Sequence, residues 1–198
     1  IDRHGILRRK QEVLAPLVKA RDRVEDCDLE DHGRTIVMGT SVFIMVDVEA
    51  TGPCPGLYSM TEVGAVVVEE PLARTFYAKL RPIEGTALDK DATRVMGYEP
   101  GTFADWPEPE GEMRRFAEWL DGLGMRPMFV SDNPGFDFQF VNYYFWKFCG
   151  RNPFGHSSTN LGSLYKGAAR DMYQSFKHLR VTPTPTIPWT TRWETPRR

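Results

Sequence analysis

The sequence predicts a mixed α/β domain, and three observations carry that prediction. Three apolar, β-branched runs follow one another between residues 41 and 80. After residue 110, helical spacing alternates with one short apolar run. With 41% hydrophobic and 26% charged residues, the 198-residue chain has the apolar content for a real core and suits one domain plus some tail.

Ser41–Val48 (SVFIMVDV) is apolar and β-branched, which predicts a buried strand. Gly52, Pro53, Pro55 and Gly56 then break the chain into a turn. Glu62–Glu70 (EVGAVVVEE) and Ala73–Leu80 (ARTFYAKL) are the next two strands, with a hairpin connection over Glu69–Pro71. Strands in direct succession predict an antiparallel start to the sheet. Met113, Phe116, Ala117 and Leu120 recur at helical spacing and predict a helix over Gly111–Leu123, with Gly124 to cap it. Pro127–Ser131 is a short buried strand, Phe136–Cys149 an aromatic-rich helix and Leu161–Met172 a further helix.

The remaining segments are weaker in pattern. Residues 7–24 have helical character interrupted by Pro16, and residues 25–34 are acidic and polar, as in a linker. Met38 stands directly before the first strand, so residues 1–37 read as an extension of a domain spanning 38–180. The net charge of −2 excludes a global electrostatic footprint for non-specific duplex binding. Cys27, Cys54 and Cys149 form neither a disulfide framework nor a zinc cluster and fit a reducing compartment. No apolar run reaches the ~18 residues of a membrane span, and the charged N-terminus lacks a signal-peptide core. The expectation is a cytoplasmic protein.

Asp47 and Glu49 lie two apart at the end of the first strand, so both carboxylates face the same side. Side by side they repel unless a cation sits between them, and hard divalent ions with oxygen ligands, Mg²⁺ or Mn²⁺, suit such a pair. Taken alone, an Asp-x-Glu pair is more often a solvent-facing strand end. Asp137, in the first turn of its helix, is on its own explained by the helix dipole. The aromatics Phe138, Tyr143, Phe145 and Trp146 invite a base-stacking role, but helical aromatics more often belong to the core.

The surroundings of these residues resemble a known pattern. Asp47-Val-Glu-Ala-Thr-Gly52 resembles the D-x-E-x-T-G motif of the DEDDh (DnaQ-like) 3′–5′ exonucleases, Glu62-Val-Gly-Ala-Val their second strand, and Asn133-Pro-Gly-Phe-Asp137 their N-x-x-F-D motif. Three linked motifs in the right order are far more specific than any one of them. The resemblance implies a ribonuclease H-like fold: α/β, a mixed central sheet whose first three strands are antiparallel, flanked by helices. It implies Asp47, Glu49 and Asp137 as catalytic metal carboxylates for Mg²⁺ or Mn²⁺, with two ions in the intact family. It also implies Ala50, Thr51, Gly52, Asn133 and Phe136 as contacts to the 3′ end of a single-stranded nucleic acid, DNA or RNA. For Asn133 a turn-forming role is almost as good a reading, and for Thr51 and Gly52 the turn alone.

The resemblance breaks at the C-terminus. The family's third motif, H-x-x-x-x-D, supplies a general base and a fourth metal ligand. Here no Asp follows Asp171, His178 has Pro183 five residues later, and four prolines fill 181–198. The genetic code offers an explanation. Trp is TGG and Thr is ACN, so a frame taking one third base plus the next two reads Trp189-Thr190 as GAC, which is Asp. Thr190-Thr191 permits a second Asp, and Pro185-Thr186 permits a His five places before it. Trp193-Glu194 forces Gly. The shifted frame accommodates H-x-P-V-D-D-A-x-G-N-A, so residues 181–198 read as an aberrant, out-of-frame tail. The expected enzyme is therefore a 3′–5′ exonuclease with impaired activity; the alternative is a catalytically inactive nucleic-acid-end binding remnant.

Overall fold

The β-branched runs build a five-stranded sheet in the order β3-β2-β1-β4-β5. The structure is a computed structural model that describes residues 41–69, 73–99 and 101–176. The N-terminal extension with its expected helix, part of the connection through Glu69–Pro71, and the 181–198 tail lie outside the described residues.

Strand β1 (Ser41–Ala50) pairs antiparallel with β2 (Met60–Val67), and β2 pairs antiparallel with β3 (Thr75–Lys79), as the succession of strands predicts. On its other side β1 runs parallel to β4 (Arg126–Ser131), and β4 runs parallel to the short β5 (Ser158–Asn160). Four helices complete the described fold: α1 (Lys90–Val95), α2 (Pro109–Asp121), α3 (Pro134–Cys149) and α4 (Leu161–Ala169).

The strand period of two divides β1 between two cores. Val42, Ile44, Val46, Val48 and Ala50 join the larger one with Phe76 and Ala78 of β3 and Leu80 just after it, covered by Met113 and Phe116 of α2 and Phe140, Val141 and Tyr144 of α3. Met45 faces the opposite side, in a smaller cluster with Val66, Val68, Val130, Leu161 and Phe176. Tyr144 is tied to the sheet through its hydroxyl, which accepts from Met60 N–H at 2.8 Å. Burial pushes its phenol up to about 12, opposed by hydrogen bonds to Ser59 and Met60.

Several boundaries differ from the sequence reading. Strand β2 begins at Met60 and β3 covers only Thr75–Lys79. Helix α2 is capped at Gly122, whose φ of −64° is right-handed; Gly124 (φ +65°) ends the tighter turn that follows. Helix α4 stops at Ala169 because Arg170 turns left-handed at φ 52°. The element order gains α1 and β5, neither of which has a legible period. Helix α1 is six residues long and rests on Asp89, whose side chain accepts from Asp91 N–H and Ala92 N–H at 2.9 Å each. Strand β5 is three polar residues that form a strand by pairing with β4. On α3, Phe145 is fully buried and Phe138 and Tyr143 pack against the core, but Trp146 is 58% exposed, one position past the core-facing stripe.

Candidate active site

The site is built where β1 ends. Asp47 and Glu49 are both half-buried on the sheet face opposite α2 and α3. Across the antiparallel ladder Asp47 stands opposite Gly64 and Glu49 opposite Glu62. Gly64 contributes no side chain beside Asp47 and is itself buried. The register slips between Glu49 and Ala50, and the chain turns out of the sheet there.

The turn is organised by Thr51. This residue is completely buried: its N–H donates to Ser59 O at 2.8 Å, its carbonyl accepts from Asp89 N–H at 2.7 Å, and its hydroxyl links Ala87 O (2.9 Å) with Ser59 N–H (3.0 Å). Every polar atom of Thr51 therefore has a partner within the protein, and these bonds hold the loop. Gly52 has a steric reason to be glycine, since a Cβ there would lie 2.1 Å from Tyr58 Cδ1. Gln139 of α3 reaches over the loop and donates to Pro53 O at 3.1 Å. Gly52→Ala is expected to displace the Tyr58 ring and cost about 1–3 kcal/mol of stability, as overpacking does. Urea unfolding measures this, and an unchanged midpoint would show that the ring moves freely.

Asp137 arrives from the other side of the sheet. Pro134 starts α3, and the carbonyl of Asn133 accepts from Phe136 N–H and Asp137 N–H at 2.9 Å each. Asp137 is only 3% exposed, and its Oδ1 accepts from Val48 N–H at 3.3 Å. That bond joins residues 89 apart in sequence and sets the third carboxylate against the backbone between Asp47 and Glu49. The Asn133 side chain is exposed and makes no capping bond, whereas Phe136 leans on Phe140 with ring centroids 5.1 Å apart and Ala50 is buried.

The structure thus brings Asp47, Glu49 and Asp137 to one strand end. The donor set is all carboxylate oxygen, which fits a hard divalent cation. Among the described residues, no three His, Cys, Asp or Glu side chains are drawn together around a common ion position. Two groups escaped the sequence reading. Glu62 is 5% exposed and accepts from the hydroxyls of Tyr77 and Tyr98, the latter at 2.9 Å. Asn160 pins the loop before α3, donating to Asp132 O at 2.9 Å while its Oδ1 caps α4 through Ser163 N–H at 2.7 Å. The alternation along Glu62-Val-Gly-Ala-Val held a signal for the first; Asn before an apolar helical run was one for the second.

Comparison with known proteins bears on the family and the fold. The model of the RNase T exonuclease family matches residues 44–182. The chain is 36% identical over 132 residues to the 3′–5′ DNA exonuclease Cap18 of Escherichia coli, covering 65% of this chain and 70% of that protein. Among solved structures it is similar to the nuclease domain of 3′hExo, a DEDDh family member bound to rAMP (TM-score 0.53, 16% identity, 66% of this chain, 72% of that one). It is also similar to Escherichia coli exonuclease I in complex with a dA16 oligonucleotide (TM-score 0.53, 15% identity, 65% of this chain). The matched region spans only 30% of that exonuclease I chain. A shared ribonuclease H-like fold, the matched family and the 36% identical relative lead to one conclusion: the chain belongs to the DnaQ-like exonuclease family, hydrolases that act on the 3′ ends of nucleic acids.

Proposed function

We propose that residues 38–180 form a 3′–5′ exonuclease domain that acts on single-stranded DNA in preference to RNA, with Asp47, Glu49 and Asp137 as the metal-holding carboxylates and with slow turnover. The observation that carries the reading is the bond from Val48 N–H to Asp137 Oδ1, which gathers both motifs at one strand end. The preference for DNA rests on the 36% identity to a 3′–5′ DNA exonuclease. A bound Mg²⁺ or Mn²⁺ supplies Lewis-acid stabilisation of charge at the scissile phosphate.

The protein's own residues supply the rest. Asp47 and Glu49 present two adjacent carboxylates, and the buried Thr51–Ser59 bonds fix the loop against which a terminal nucleotide is set. Gly52 and the exposed Asn133 flank the place where the two motifs meet. Slow turnover follows from residues 181–198, which offer neither the histidine nor the aspartate of the third motif. As to surroundings, no helix among the described residues is long and apolar enough to cross a membrane.

The test uses 5′-labelled single-stranded oligonucleotides, DNA and RNA in parallel, with Mg²⁺ or Mn²⁺ and an Asp47→Ala control. A slow ladder from the 3′ end, faster on DNA and absent in the control, is the expected result. A ladder that survives Asp47→Ala would place the chemistry elsewhere. Oligonucleotide binding by a folded protein without any ladder would make the chain an end-binding remnant.

A further inference from the structure

Glu62, Glu49 and Lys79 form one row across three strands, since Glu62 stands directly opposite Glu49 on β1 and opposite Lys79 on β3. Directly opposed side chains in an antiparallel pair have Cβ atoms about 4.5–5.5 Å apart, and like charges so placed destabilise the sheet. Lys79 lies within ion-pair distance of no carboxylate among the described residues, and its ammonium sits 4.5 Å from the centroid of the Trp106 ring. Two neutral phenols hold Glu62 instead. Tyr77 donates to Oε2 and Tyr98 to Oε1 at 2.9 Å, and the Tyr98 oxygen also lies 3.1 Å from the Thr61 hydroxyl. A phenol has one proton, so Tyr98 gives it to Glu62 and receives that of Thr61.

These bonds fix the carboxylate without cancelling its charge. Glu49 is also close enough for its charge to be felt at Tyr98. Burial holds that phenol far above the ordinary tyrosine range, the Thr61 bond opposes the rise, and the charges of Glu62 and Glu49 add to it.

We infer that Glu62 is a positioning residue for the cation site: a clamped, buried negative charge behind Glu49 that strengthens divalent-cation binding without itself being a ligand. The inference rests on the proposed role of Asp47 and Glu49 as cation ligands. Its signature is a separation of metal affinity from stability. Glu62→Gln keeps the shape and removes the charge. Tyr98→Phe keeps the charge and removes one of its donors.

The experiment is Mn²⁺ titration of the full chain, reading free Mn²⁺ by EPR, alongside urea unfolding of the metal-free proteins. Glu62→Gln is expected to weaken Mn²⁺ binding by about tenfold or more, the usual effect of losing a supporting group around a metal, with an unfolding midpoint close to wild type. Tyr98→Phe is expected to bind Mn²⁺ nearly as wild type does. Wild-type affinity in Glu62→Gln, while Asp47→Asn abolishes binding, would overturn the inference and leave the proposed site intact. Parallel losses of affinity and stability in Glu62→Gln and Tyr98→Phe would reduce Glu62 to a packing role and also overturn it. Mn²⁺ binding unaffected by Asp47→Asn would overturn the proposed site and this inference together.

Discussion

Rebuilding the C-terminus on the shifted reading frame is expected to raise the rate of 3′-end hydrolysis by about 10²–10⁴-fold, the usual contribution of a positioned general base. Residues 41–180 carry Asp47, Glu49 and Asp137, and residues 181–198 hold neither a histidine nor an aspartate. In the shifted frame the tail accommodates a histidine and an aspartate five places later, followed by A-x-G-N-A. Among the described residues, Leu161 and Tyr165 of α4 and Phe176 pack on the face that carries Asp47 and Glu49, while α2 and α3 pack on the opposite face. Initial rates on the same labelled oligonucleotide, measured for both chains at equal folded concentration, give the answer directly. A gene whose shifted frame lacks H-x-x-x-x-D would end the frameshift explanation. A rebuilt chain no faster than the present one would show that the loss of the third motif is not what limits turnover.

What the sequence made legible follows from range. The apolar run SVFIMVDV declares a buried strand, and the structure splits that strand between two cores, with Asp47 and Glu49 on one side. The first-turn position of Asp137 is equally local, and α3 begins where Pro134 allows it to. The bond from Val48 to Asp137 spans 89 residues and has no local trace; only the pairing of motifs hinted at it. Thr51 reads as a turn residue beside a ligand, yet its partners at Ser59, Ala87 and Asp89 make it the anchor of the loop. Glu62 reads as the polar opening of a strand because its burial depends on Tyr77 from β3 and Tyr98 from the loop after α1. Strand β5 is illegible for a related reason: Ser158-Thr159-Asn160 becomes a strand by virtue of the β4 edge beside it.

Phe116→Ala is expected to lower the stability of the protein by about 3–5 kcal/mol, the range for removing a buried phenylalanine from a packed core. Phe116 is fully buried and is the point where three parts of the chain meet. Its ring stacks on Phe76 of β3 with centroids 4.5 Å apart and an interplanar angle of 15°, and on Phe145 of α3 at 5.3 Å, while Phe154 meets it edge-on at 6.2 Å. Truncation leaves a cavity bordered by aromatic rings, which cannot collapse to fill it without leaving their own partners. Against a total stability of about 5–15 kcal/mol, the loss is large. It also reaches the site, because the packing of α3 on the sheet is what carries Asp137 to Val48. Urea unfolding at an unchanged slope is the measurement, with Mn²⁺ binding followed over the same range of denaturant. The expected outcome is a midpoint shift in which cation binding and tertiary structure disappear together. A loss below about 1 kcal/mol would mean that the aromatic cluster is not what holds α2 and α3 in place. The site would then have to be positioned by the β1 end and its loop alone.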